Sequence, residues 1–206
     1  MMDWIKEQNR LTKEFVRGDF SSQLWMSSVA FGALIVLGFV LGMILPDFAN
    51  TFVGFFSQQM ADSNVVADDG TINLLALLYN NVRAAIFTVA YGFIPMLYLP
   101  ALSLGINSSL LGFFAAFYLS NDQSMLFFFA AIIPHGIFEI PALVLAIALG
   151  LYLCRMITDY TRHNTKGMVM SAVKNILRVF LLRVLPLLII ASIVESFVTP
   201  WIISFI

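Results

Sequence analysis

Residues 125–153 form an apolar run long enough to cross a bilayer, and polar chemistry is set into its first half. The inserted residues are Pro134, His135, Gly136, Glu139 and Pro141. No other stretch narrows the possible folds as much. Each proline lacks the N–H that would pair with the carbonyl four residues earlier, here that of Ala130 or Ile137. Lipid offers no substitute donor, so a helix break is expected at Pro134, Gly136 and Pro141. The freed carbonyls should then turn toward neighbouring helices or a polar cavity. His135 and Glu139 share one helix face through their spacing of four. Ionisable groups at this depth face a bundle interior and mark a functional site.

The rest of the chain supplies the neighbours. Further spans are expected at 24–45, 74–99, 101–119 and 184–205, which with 125–153 makes about five transmembrane helices. Only 11% of the 206 residues are charged, against about 25% in soluble domains. The expected fold class is therefore all-α, a polytopic membrane helical bundle forming one membrane domain over 1–206. Gly38-x-x-x-Gly42 in the first span has the spacing that lets two helices approach closely, which makes it a candidate contact for a homodimer.

The connections carry the orientation signal. In 1–22, Trp4, Leu11 and Phe15 recur on one helix face, which suits either an amphipathic helix on the membrane surface or a solvated one. The 46–73 connection is acidic, with Asp62, Asp68 and Asp69, and its apolar part 48–56 could dip into the interface. The 154–183 connection is basic, and its second half, 168–182, reads as amphipathic. With five spans, 1–22 and 154–183 fall on the same side and hold ten of the eleven Lys and Arg residues. The positive-inside rule places that side in the cytoplasm and the C-terminus outside a cell membrane. The charged first twenty residues hold no short apolar segment before a small-residue cleavage site, so no cleavable signal peptide is expected.

Arg83, the eleventh cation, lies inside the second span. At a rise of about 1.5 Å per residue, Arg83 is about 13 Å below the outer boundary, His135 about 15 Å and Glu139 about 21 Å. Glu195 in the fifth span is about 16 Å above the inner one. The four can converge near the midplane, with Asn80, Asn81 and Asn107 nearby as interhelical glue. Arg83 is expected to pair with Glu139, directly or through His135, with Glu195 as the alternative acid.

Enzymatic motifs are scarce. His-x-x-x-Glu is not the His-Glu-x-x-His zinc helix, and the other histidine, His163, lies in the basic connection. The one cysteine, Cys154, excludes an intrachain disulfide. There is no P-loop, nucleophile elbow or dinucleotide fingerprint. No cofactor, no metal and no nucleic-acid partner are expected.

Asn80-Asn81, Ala84-Ala85, Gly92, Asn107, Gly112 and above all Pro134-His135-Gly136-x-x-Glu139-x-Pro141-Ala142 resemble the stage II sporulation protein M family. The resemblance covers residues 80–153, with Asn107-Ser108 where many members have Asn-Gly. It implies a polytopic membrane protein. The family's namesake anchors the peptidoglycan-degrading stage II sporulation proteins D and P at the engulfing septum, and relatives occur in bacteria and archaea that do not sporulate. The leading expectation is thus a non-enzymatic scaffold, a homo-oligomer (dimer), that recruits envelope-remodelling partners. The alternatives are a small transporter or channel with an ion or proton site, and an intramembrane hydrolase using His135 and Glu139.

Overall fold

A chain segment in lipid must satisfy its own backbone, and each of the apolar runs does so as a helix. The computed structural model describes residues 2–61, 65, 71–163 and 167–206. Seven helices and no strand occur among these residues: α1 Met2–Arg17, α2 Ser21–Ile44, α3 Pro46–Ala61, α4 Leu74–Ala90, α5 Leu99–Ser120, α6 Met125–His163 and α7 Met168–Ile203. Five of them, α2 and α4 to α7, are long and apolar enough to span a membrane.

Local chemistry sets the ends. Leu45 leaves the helical region just before Pro46, as residues preceding proline do, and Pro46 opens α3. The Asn73 side chain caps α4 by accepting from the amides of Leu75 and Ala76, each at 3.1 Å. α4 gives way to tight turns at Tyr91–Phe93 and Pro95–Leu97, and Tyr98 then adopts a left-handed conformation (φ 45°) ahead of α5. The second span thus ends earlier than residue 99. The fourth helix runs past residue 153 to His163, and the last begins at Met168, so much of 154–183 is helical. Asp62, Asp68, Asp69 and Lys166 lie outside the described residues.

α6 is the central element. Ala142, Ala146, Ile147, Ala148, Leu149 and Cys154 are fully buried, so this half of the helix is covered on all sides. At the same end Phe15, Phe20 and Tyr152 pack ring to ring, with centroids 5.2 to 5.9 Å apart. α1 docks on the start of α7 through Arg178 to Gln8 (2.8 Å) and Arg183 to Asn9 (3.3 Å). The N-terminus and the basic connection therefore share one face of the bundle. On the exposed side of α1 the Arg10 guanidinium beside Glu7 holds that carboxyl below its usual range.

Glycines set the closest crossing. A Cβ on Gly38 would stand 2.7 Å from the Ser109 carbonyl, one on Gly42 would stand 2.6 Å from Ala116, and one on Gly112 would strike the Ile35 carbonyl. The Gly38-x-x-x-Gly42 face is thus spent on α5 of the same chain, which removes it as a contact for a second copy.

The proline pattern brings a correction. α6 is helical without interruption through Pro134, Gly136 and Pro141. The expected break is absent there because a helix can leave a single carbonyl unpaired at each proline and continue. Irregular backbone appears instead in α7, as two π turns, Phe180–Val184 and Val194–Val198. Each stands just before a proline, Pro186 or Pro200, and a wider turn relieves the clash of the ring with the carbonyl four residues back. The Leu182 carbonyl, which Pro186 cannot engage, accepts instead from the Arg183 guanidinium at 3.4 Å.

Candidate functional site

α6 turns Ile133 and Ile137 outward, where they are exposed as lipid-facing residues are, and turns His135 and Glu139 inward. His135 Nε2 stands 3.8 Å from Glu139 Oε2, as their spacing on one helix face requires. Glu195 arrives from the second π turn of α7. One donor atom from each of His135, Glu139 and Glu195 lies within 4.8 Å of the others. Thr199, one turn beyond Glu195 and buried, meets the far side of the imidazole, its Oγ1 3.5 Å from His135 Nδ1.

This trio opens on a cavity of about 600 Å³ whose walls come from α2 to α7. Asn80, Asn81, Arg83 and Asn107 also line it, so all seven polar residues singled out in the sequence border one space. The His135 and Glu139 side chains are 15% and 33% exposed and line the cavity, so a solute there can touch them. The cavity extends toward the α3 end, where Phe56, Gln59 and Val65 contribute. Toward the α1 end it stops. There Gly92 packs backbone to backbone on Gly150, and Ala142, Ala146 and Leu149 fill the bundle axis. The lining residues thus run from the middle of the bundle toward the α3 end.

The polar neighbours differ in role. Asn107 donates to the Ser103 carbonyl at 2.8 Å, and Ser103 Oγ lies 3.2 Å from Thr88 Oγ1, so this group ties α5 to α4. Asn80 Oδ1 accepts from Arg83 at 3.3 Å. The Asn81 amide nitrogen is hidden from solvent and has no hydrogen-bond partner among the described residues.

Arg83 departs from expectation. Its guanidinium is held by Asn80 and lies 5.7 Å from the Tyr79 ring centroid, and no carboxylate among the described residues is within ion-pair distance of it. The expected pair with Glu139 or Glu195 is not formed. Equal depth did not ensure contact, because Arg83 sits on the outer flank of α4 with Tyr79, where an aromatic face and an amide solvate it. Sequence reading also missed Thr199. The available signal was Glu195-x-x-x-Thr199, a repeat of the four-residue spacing that joins His135 to Glu139.

A family model described as Stage II sporulation protein M matches residues 24–200. No curated protein and no solved structure matches the chain.

Proposed function

The chain belongs to the Stage II sporulation protein M family, and from that premise we propose that this multi-pass membrane protein binds a small cation or proton at the midplane and moves it across the bilayer. One observation carries this reading: His135, Glu139 and Glu195 converge on a cavity whose lining runs from the middle of the bundle toward the α3 end. Two carboxylates gathered at membrane depth demand positive charge, and Arg83 does not supply it. A one-sided pocket with a packed floor is the form of a carrier that alternates, whereas a channel needs a continuous path. By the positive-inside rule the α1 end is cytoplasmic and the cavity faces outward.

The test is flux into liposomes holding purified protein, followed with a proton-sensitive dye and with cation-sensitive dyes. Wild-type protein should exceed empty liposomes, and Glu139→Gln should fall to their level while still eluting as folded protein. Equal flux through wild type and empty liposomes removes the reading.

Scaffolding is the second reading. Family membership favours it, as does the charged face of α1, where Glu7, Arg10 and Glu14 form an exposed network above the α7 contact. In this reading the protein, as a homo-oligomer or alone, recruits envelope-remodelling membrane proteins. Crosslinking in native membranes followed by mass spectrometry should then recover them. Charge reversal at Glu7 and Glu14 should lose them without altering flux.

A further inference from the structure

We infer that His135, Glu139 and Glu195 form a binding site for one first-row divalent cation of the zinc or manganese class. The inference names the ligand of the cavity and rests on reading that cavity as a ligand site.

Geometry is the first ground. Metal–donor distances of about 2.0–2.2 Å place the donors of a tetrahedral site about 3.3–3.6 Å apart. His135 Nε2 and Glu139 Oε2 are already 3.8 Å apart, and all three donors lie within 4.8 Å. Rotation of the two glutamate side chains closes a gap of about 1 Å without backbone change. Two residues come from one helix turn of α6 and the third from α7, so the site also clamps two spans together.

The second ground is orientation of the imidazole. A metal-bound histidine usually donates through its other ring nitrogen to a fixed acceptor. Here Nδ1 faces the buried Thr199 Oγ1 at 3.5 Å while Nε2 faces the carboxylate. With the proton on Nδ1 directed at Thr199, Nε2 presents its lone pair to the metal.

Charge and donor type choose the ion. A neutral imidazole and two carboxylates carry −2, which a divalent cation cancels at a depth where residual charge is costly. One nitrogen with two oxygens suits Zn²⁺, Mn²⁺, Fe²⁺ or Co²⁺, whereas Cu⁺ wants thiolates and Mg²⁺ wants oxygens alone. Three protein ligands leave at least one position open to water.

The experiment uses tag-free full-length protein in detergent, stripped with chelator, incubated with Zn²⁺, Mn²⁺ or Mg²⁺, desalted and analysed for metal. Wild type should retain about one equivalent of Zn²⁺ or Mn²⁺ per chain and no Mg²⁺. Glu139→Gln, Glu195→Gln and His135→Gln should retain none, and His163→Gln should match wild type. Thr199→Val removes no ligand and should weaken Zn²⁺ binding by about 10- to 100-fold. Co²⁺ added to the stripped protein should give the visible bands of a low-symmetry site, lost in the same variants. Wild-type retention no higher than that of Glu139→Gln, or equal Zn²⁺ affinity in Thr199→Val and wild type, overturns the inference. Metal retention without flux overturns the carrier reading alone, and proton flux without metal retention overturns the metal site alone.

Discussion

At the scale of single residues the decisive contrast is between His135 and Arg83. Both lie near the midplane by depth, yet His135 faces Glu139 and Thr199, whereas Arg83 rests on Asn80 and Tyr79. A double-mutant cycle on unfolding in detergent separates them. Arg83→Ala with Glu139→Ala should be additive to within about 0.5 kcal/mol, because the two share no contact. His135→Ala with Glu139→Ala should couple by about 0.5–3 kcal/mol. Depth was legible from counting residues along each apolar run, which is why the cavity-lining set could be named. Azimuth was not. Which way a side chain points around its helix depends on how the helices cross, and for Arg83 that separated equal depth from contact.

At the scale of elements, the α2–α5 crossing and the π turns of α7 make different demands. Gly38 and Gly112 sit against backbone, which cannot move aside as a side chain can. Gly38→Leu or Gly112→Leu should each destabilise by about 1–3 kcal/mol in a thermal assay in detergent. Gly105→Ala on the same α5, with open space around it, should be neutral or stabilise by up to about 1 kcal/mol. The glycine spacing was legible as a close contact, but not whether the partner helix lay in the same chain. The prolines were legible as backbone trouble, and here the trouble moved to another helix: α6 absorbs Pro134 and Pro141, while α7 widens before Pro186 and Pro200. The turn holding Glu195 is thus shaped by Pro200. Pro200→Ala should let it tighten, raising stability by up to about 3 kcal/mol while flux falls, as liposome assays would record.

At the scale of the whole molecule, five apolar helices and the charge asymmetry were readable because bilayer thickness and loop charge act on long stretches rather than on single contacts. Orientation is checked with cysteines on a Cys154→Ser background. A cysteine at Ser63 should react with an impermeant reagent on intact cells, and one at Thr165 should react only after lysis. The opposite pattern would turn the molecule over. The packed floor of the cavity has an electrical consequence. Where water enters from the α3 end, the cavity carries the potential of that side, and the transmembrane voltage falls across the packed half of the bundle. From Glu139 to the end of that packing at Met156 is about 25 Å of helix. A cation reaching Glu139 from the α3 side crosses little of the field. One leaving past Met156 crosses most of it, worth about 2.3 kcal/mol per unit charge for each 100 mV. In the carrier reading, entry should therefore be nearly indifferent to membrane voltage and release steeply dependent on it.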